Sequence, residues 1–210
     1  MIIIFLVSTL DTFETEAASY KEIYVLSKIT FPYIGPDWEY IYSYNKKGFL
    51  TKEDQRVGDF SGYRTYKYNS SNNIKQVYVH SGNVEDYTEK YTYKNGNMVK
   101  RKYTIEDDRC VYKYKWKKNH IVKETQDRSS GYHFVTNYKL DFKGNVIKEK
   151  TNNGNGITYK YYTLTYKKGR VASKTTDGNT MKYYYKKIKV PKKNIAKIKK
   201  QQWCLVNGFK

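Results

Sequence analysis

The stretch Tyr138–Tyr162, YKLDFKGNVIKEKTNNGNGITYKYY, decides the fold. Apolar and aromatic side chains alternate with polar ones as far as Phe142, a turn follows at Gly144-Asn145, and a return strand is expected over 146–150. An Asn- and Gly-rich loop then leads into a further aromatic strand. Alternation with a period of two residues, interrupted by Gly-Asn clusters, indicates antiparallel hairpins.

The same unit recurs along the chain. The last aromatic residues before the successive turns are Tyr44, Tyr68, Tyr93, Trp116, Phe142 and Tyr166. These positions lie 24, 25, 23, 26 and 24 residues apart, and an apolar residue opens each return strand. A regular period of this length indicates a repeat array, in which each unit is one hairpin and neighbouring hairpins pair to bury their aromatic face. The fold expected for residues 20–190 is an all-β antiparallel meander of about a dozen strands, either a curled sheet or a barrel-like one.

The composition favours a hydrated and strongly basic domain. The 210 residues are enough for one domain with a substantial core, and 25 of them are tyrosine. Because tyrosine keeps a polar tip, a core built from it should be wetter than a core of Leu and Val. The formal net charge of +20 attracts polyanions, which include nucleic acid, acidic membranes and anionic envelope polymers. Lysine on exposed strands also prevents edge-to-edge aggregation, so a functional and a protective interpretation of the charge both stay open.

The N-terminal residues carry a pattern typical of export. An apolar run, Ile2–Leu10, is followed by the small residues Ala17-Ala18-Ser19, although no basic residues precede the run. The run is too short to span a bilayer and fits the apolar region of a signal peptide. We therefore predict a signal peptide over 1–19, with an ordinary buried strand as the alternative.

From Pro191 the hydrophobic pattern changes to that of a helix. Its apolar residues, at near-helical spacing, are Ile195, Ile198, Trp203 and Val206. Pro191 or Lys192 would begin the helix and Gly208 would end it. The basic segment 191–210 is expected to pack on the sheet as a lid, and a basic amphipathic helix on an anionic membrane surface is the alternative.

Aromatic and lysine side chains are segregated to opposite faces of the expected strands. In 112–117 the aromatic residues alternate with Lys113, Lys115 and Lys117. The lysine-rich face argues against an outer-membrane barrel, whose outward face is an apolar band. Since a nucleic-acid platform needs rings and cations on one side, nucleic acid is not expected as a partner. We expect the aromatic side to be the core, with an exposed sugar-binding plane as the alternative. Its residues are Trp38, Tyr42, Tyr93, Tyr114, Trp116, Phe134 and Phe142.

No motif of a catalytic, cofactor or metal site stands out. The sequence holds no nucleophile elbow, Walker loop or zincin motif, and none of its 3 histidines lies at metal-ligand spacing from another His or a Cys. We therefore expect neither an enzyme nor a cofactor or metal site; carboxylates that converge only in the fold are the alternative. Export would permit a disulfide between Cys110 and Cys204, with two separately buried thiols as the alternative.

Two units, LDFKGNVIKEKTNNGNGITYKY and LTYKKGRVASKTTDGNTMKYYY, resemble YD (RHS-type) repeats. In that family an aromatic-x-aromatic strand meets a polar-Gly turn and a short apolar return strand, and the resemblance covers most of Trp38–Tyr185. The same pattern is similar to secreted bacterial domains with a porin-like antiparallel sheet. Both resemblances imply an exported or surface protein of bacteria, and neither implies a catalytic residue.

The expected function is a non-catalytic binding or scaffold role. The leader-like N-terminus and the resemblances favour a secreted or cell-surface bacterial location. The net charge of +20 favours anionic cell-wall polymers or glycans as partners. A glycan-active enzyme is the alternative.

Overall fold

The computed structural model describes residues 19–35, 38–58, 60–82 and 84–209. The predicted signal peptide, 1–19, lies outside the described residues apart from Ser19. Within these ranges all strands belong to one sheet of 15 strands. They are β1 Tyr20–Thr30, β2 Glu39–Tyr44, β3 Leu50–Val57, β4 Phe60–Tyr68, β5 Ile74–Ser81, β6 Val84–Lys94, β7 Asn97–Ile105, β8 Asp108–Lys117, β9 His120–Arg128, β10 His133–Leu140, β11 Val146–Asn152, β12 Ile157–Tyr161, β13 Thr163–Lys167, β14 Arg170–Thr176 and β15 Asn179–Pro191.

The sheet curls until its two ends meet. Hydrogen bonding joins the strands in the order β12-β11-β10-β9-β8-β7-β6-β5-β4-β3-β2-β1-β15-β14-β13, and β12 and β13 are separated in the chain only by Tyr162. The backbone N–H of Tyr162 donates to the carbonyl of Ile147 on β11 at 2.9 Å. The amine of Lys174 on β14 lies 3.7 Å from the centroid of the Tyr162 ring. Tyr162 thus contacts strands near both ends of the sheet. The predicted antiparallel meander is confirmed as a nearly closed, barrel-like sheet.

Six hairpins carry the repeat. In each, the strand pairing shifts register close to the turn, and the residues at the shift are Tyr44, Tyr68, Tyr93, Trp116, Leu140 and Tyr166. Such a shift places an extra residue on one strand and increases the local bend. The predicted hairpin repeat is therefore confirmed, with Leu140 in place of Phe142 in the fifth unit.

Phe142 lies in a turn and not in a strand. Strand β10 ends at Leu140, and Asp141 begins the turn. The Oδ1 atom of Asp141 accepts the backbone N–H groups of Lys143 and Asn145, both at 2.9 Å, which is the hydrogen-bonding pattern of an Asx turn. The Phe142 side chain is 89% exposed. Its assignment to the aromatic core is therefore wrong.

The C-terminal helix is shorter than the predicted segment. After β15 the chain makes a 3-10 turn over Lys192–Asn194 and then forms α1, Ile195–Asn207. Gly208 follows with φ of +82°, the left-handed conformation in which glycine commonly ends a helix. Only this 3-10 turn separates α1 from β15, so the helix starts at the end of the sheet that carries the six hairpin turns.

Helix α1 lies across this turn end of the sheet. The side-chain amide of Asn194 donates to the carbonyl of Lys47 in the β2–β3 turn at 3.1 Å. Further along the helix, Nε1 of Trp203 donates to the carbonyl of Gly144 in the β10–β11 turn at 2.8 Å. The helix therefore ties together turns from distant parts of the sheet.

Amide side chains of α1 also satisfy strand N–H groups close to register shifts. In each case a side-chain oxygen accepts a backbone N–H group. The pairs are Gln202 with Leu26 at 2.6 Å, Gln201 with Leu50 at 3.2 Å, and Asn207 with Val146 at 2.8 Å. Because a buried N–H group without a partner is costly, these contacts fix where the helix sits on the sheet.

The apolar core is divided into clusters, and the C-terminal segment contributes to each. Leu205 packs with Leu26 and Tyr42, on one side of the sheet. Phe209 lies in a second cluster, formed by strands β7 to β11, and Ile198 lies in a third, near the turn end. The segment therefore holds opposite parts of the curled sheet together.

Candidate ligand-binding surfaces

The inner side of the sheet carries buried and half-buried charges. Most of them occupy equivalent positions in the return strands, three residues after the apolar residue that opens each strand. Those residues are Glu53, Arg101, Glu124, Glu149 and Lys174, and Arg64 on β4 and Glu89 on β6 join them. We call these residues the interior charged layer. Because an unpaired buried charge is costly, each must be balanced by its neighbours.

Glu89 is the centre of one half of this layer. Its side chain is 1% exposed and accepts an ion-pair contact from Arg64 at 2.5 Å and one from Arg101 at 3.5 Å. The hydroxyl of Tyr91 also donates to it. Burial acts to lower the pKa of Arg64, but the Glu89 carboxylate together with the neighbouring Tyr66, Tyr91 and Glu53 outweighs it and raises that pKa above its ordinary value. Arg64 therefore stays charged at neutral pH.

The other half of the layer lies where the sheet ends meet. The hydroxyl of Tyr162 donates to Oε1 of Glu149 at 2.8 Å. Burial raises the pKa of Glu124; Arg101 opposes this effect and Glu149 adds to it. Burial also lowers the pKa of Lys174 to about 8, with Glu149 opposing. Glu124 and Lys174 can therefore change protonation closer to neutral pH than ordinary Glu and Lys side chains do.

Replacing Lys174 by Met should remove a pH-dependent destabilisation. The pKa of Lys174 in the folded protein, about 8, is below the ordinary 10.5, so the folded state binds fewer protons. The cost of burying the charged amine is fully present below pH 8 and fades as the pH rises towards 10.5. The difference in unfolding free energy between the variant and the wild type should shrink by about 2 kcal/mol from about pH 7 to about pH 9.5. Urea denaturation of both proteins across this range measures it, and a difference that does not change with pH contradicts the burial of a charged amine here.

The outer side of β6–β11 carries lysines that face one another across neighbouring strands. The directly opposite pairs are Lys90 with Lys102, Lys100 with Lys113, Lys115 with Lys123, and Lys139 with Lys148. We call these residues the lysine face. Like charges directly opposite in a sheet destabilise it. Among the described residues, the ion pair found for this set joins Lys113 to Asp127 at 3.1 Å.

Several cations on the outer side of β1–β3 are paired. On β1–β3, Glu39 contacts Lys28 at 3.0 Å and Arg56 at 3.2 Å, and Asp54 contacts Lys52 at 2.6 Å. On the strands of the lysine face, the glutamates of the interior charged layer point inwards and leave the lysines outside. Directly opposite lysines therefore distinguish the lysine face from the outer side of β1–β3.

Two exposed tyrosines border the lysine face. Tyr159 and Tyr161 on β12 stack with ring centroids 6.4 Å apart and planes at 26°. The Lys148 amine lies 4.3 Å and 4.8 Å from these two centroids. Lys148 and Tyr161 are directly opposite in the pairing of β11 with β12. Rings and cations that belong to neighbouring strands thus lie on one face, although they alternate within a single strand. Nucleic acid was not expected as a partner because rings and cations were placed on opposite faces, and this reason does not hold here.

The structure distributes the other predicted aromatic residues over several environments. Tyr42 and Tyr114 are buried, whereas Tyr93 and Trp116 are half-buried against the cluster that contains Phe209. Phe134 is half-buried and stacks on Tyr132, with centroids 6.2 Å apart. Trp38 is half-buried in the β1–β2 loop. With Phe142 exposed, the set does not form a continuous outward plane for sugars.

Neither cysteine is bonded in the structure. Cys110 and Cys204 are free thiols in the same hydrophobic cluster, so the structure does not contain the predicted disulfide. Burial raises the pKa of the Cys204 thiol to about 12, which keeps it protonated at neutral pH. Among the described residues, no group of three His, Cys, Asp or Glu side chains could hold a metal ion.

Comparison with known proteins bears on the fold. No family model and no curated protein matches the chain. The structure is similar to that of a porin-like protein from Bacteroides vulgatus ATCC 8482, with a TM-score of 0.53 and 10% identity over 77% of this chain and 99% of that chain. Within the described ranges, no helix has the length and hydrophobicity needed to span a bilayer. The resemblance to porin-like antiparallel sheets is therefore confirmed at the level of the fold, whereas nothing in these comparisons supports the YD-repeat resemblance.

Proposed function

We propose that this chain is a non-catalytic binding protein that holds an anionic polymer on the lysine face. The observation that carries the proposal is the set of directly opposite lysine pairs across β6–β11. The fold does not need such pairs, since like charges opposite one another lower its stability. An extended ligand with regularly placed anionic groups would neutralise the charge of several lysine pairs at once. The electrostatic attraction at each pair would favour its binding.

An acidic polysaccharide is the polymer that the border of this face favours. Tyr159 and Tyr161 offer exposed ring surface beside Lys148, which would pack against the apolar side of a sugar ring while the amine binds its carboxylate. The export-like N-terminal pattern and the porin-like structural neighbour support a location at the bacterial surface or outside the cell.

Binding to immobilised polygalacturonate tests the proposal. The wild type should bind it and not bind neutral dextran, and its affinity should fall about tenfold or more between low and physiological salt because screening weakens exposed charge pairs. Replacing Lys100, Lys113, Lys115 and Lys123 together by Gln removes two opposite pairs and should weaken binding about tenfold or more.

A matched variant separates the lysine face from net charge. Replacing Lys21, Lys182, Lys186 and Lys189 by Gln changes the charge equally, but on β1 and β15. This control should bind polygalacturonate almost as tightly as the wild type. Equal weakening of both variants, or tighter binding of single-stranded DNA than of polygalacturonate, would overturn the assignment.

A glycan-active enzyme is the second candidate, favoured by one observation inside the sheet. Glu124 and Glu149 lie on strands that flank β10, and burial raises the pKa of Glu124 while Tyr162 donates to Glu149. Two carboxyl groups with different environments can serve as acid and base in glycoside cleavage. New reducing ends in the polygalacturonate assay that disappear with Glu124→Gln would decide for this candidate.

A further inference from the structure

A cavity of about 90 Å³ lies between α1 and the inner side of β3–β8. Apolar side chains dominate its walls, among them Met98, Trp116, Leu205 and Phe209. It extends to Gly96, where an added side-chain carbon would meet no atom within 4 Å. A largely apolar space of this kind can accept an apolar group.

The rim of this cavity is cationic. The Lys200 amine donates to the carbonyl of Gly96 at 3.1 Å and to Oδ1 of Asn97 at 2.6 Å, which uses two of its three N–H donors. The Lys197 amine donates to the carbonyl of Ser71. No Asp or Glu is found among the described residues that line the cavity. The helix thus places two ammonium groups beside an apolar space with no carboxylate to neutralise them.

We propose that this cavity binds an unbranched fatty carboxylate, with its alkyl end inside and its carboxylate between Lys197 and Lys200. A volume of about 90 Å³ accepts roughly three methylene-sized groups, taking about 30 Å³ each, so the terminal carbons of a medium-length chain would fill it and the remaining methylenes would extend to the carboxylate at the rim. The remaining N–H donor of Lys200 would bind the carboxylate in a charge-assisted hydrogen bond. This site is separate from the lysine face, because both lysines belong to α1 at the turn end.

Cys204 provides a direct reporter, because it is a free thiol that lines the cavity. At about pH 9, where more of the thiol is ionised, the small neutral reagent methyl methanethiosulfonate would modify it with release of methanesulfinate, and peptide mapping distinguishes it from Cys110. Octanoate should slow modification of Cys204 in the full chain. Trp116 also lines the cavity, so octanoate should change tryptophan fluorescence over the same concentration range.

Ligands and variants identify the two halves of the site. Acetate, which lacks the alkyl chain, should not protect Cys204, and octanol, which lacks the charge, should protect it more weakly than octanoate. Replacing Lys197 and Lys200 together by Met should weaken octanoate about tenfold and leave octanol unchanged. Replacing Lys100, Lys113, Lys115 and Lys123 by Gln should leave octanoate binding intact. A failure of the octanoate site can therefore be distinguished from a failure of polymer binding on the lysine face.

Three results would overturn the inference. One is that saturating octanoate leaves the modification rate of Cys204 unchanged. Another is that the Lys197 and Lys200 variant binds octanoate as tightly as the wild type. The third is that vesicles of an anionic phospholipid bind through these two lysines while free octanoate does not, which would make the rim a membrane contact.

Discussion

Replacing Glu89 by Gln is expected to lower the free energy of unfolding by about 3–5 kcal/mol, the range for breaking a buried ion pair. Glu89 is 1% exposed and lies between Arg64 and Arg101, so the variant would leave two half-buried or buried guanidinium groups without their carboxylate. Glutamine keeps the size of the side chain, which confines the change to its charge. Urea denaturation at neutral pH measures the effect.

Glu85 on the same strand provides the matched control. It is exposed, and its replacement by Gln should change the unfolding free energy by no more than about 0.5 kcal/mol. If the two variants unfold alike, Glu89 does not hold the two arginines together inside the sheet. A large loss for Glu89→Gln alone would place the interior charged layer among the interactions that hold the fold.

The hairpin repeat could be predicted from the sequence because its signals are local. Alternation of aromatic and polar residues and the Gly or Asn residues in the turns depend on neighbours in the chain. The turn at Asp141 is also local, but it competes with alternation. The alternation of apolar and polar residues continues past Leu140 to Phe142. The hydrogen bonds of the Asp141 side chain nevertheless end the strand before Phe142. Turn chemistry thus prevailed over periodicity at this position.

The interior charged layer could not be predicted by period-two alternation, because the register shifts interrupt that period. On β11, simple alternation from Val146 places Lys148 on the inner side. The shift instead pairs Val146 with Leu140 and Lys148 with Lys139, so Lys148 faces outwards and Glu149 faces inwards. The signal that could have identified the layer is the recurrence of a charged residue three positions after the apolar residue that opens most return strands.

The ligand-binding surfaces depend on pairing between strands and on the position of α1, neither of which the sequence specifies by itself. Lys100 and Lys113 are opposite only because β7 and β8 pair in one register. The apolar cavity exists only because α1 crosses the strands that line it. Composition indicated an excess of positive charge, whereas its location needed the fold.

Replacing Trp116 by Ala is expected to cost about 3 kcal/mol or more of unfolding free energy, as for the truncation of a large core side chain. Its ring packs against Trp203 of α1 with centroids 6.0 Å apart, and its Nε1 donates to the carbonyl of Met98 at 2.7 Å. The variant would lose both contacts and enlarge the cavity beneath the helix, which destabilises in proportion to the space left empty.

Phe142→Ala is the matched control for this truncation, because alternation alone predicts both rings to be core. Phe142 is 89% exposed, so its loss should change the unfolding free energy by no more than about 0.5 kcal/mol. Thermal and urea denaturation of the two variants, alongside binding to polygalacturonate, measure the contrast. If Trp116→Ala unfolds like the wild type but no longer binds the polysaccharide, the aromatic side of the sheet faces outwards as a sugar-binding plane. Loss of stability with binding retained at low temperature places Trp116 between the sheet and the helix, where it anchors α1.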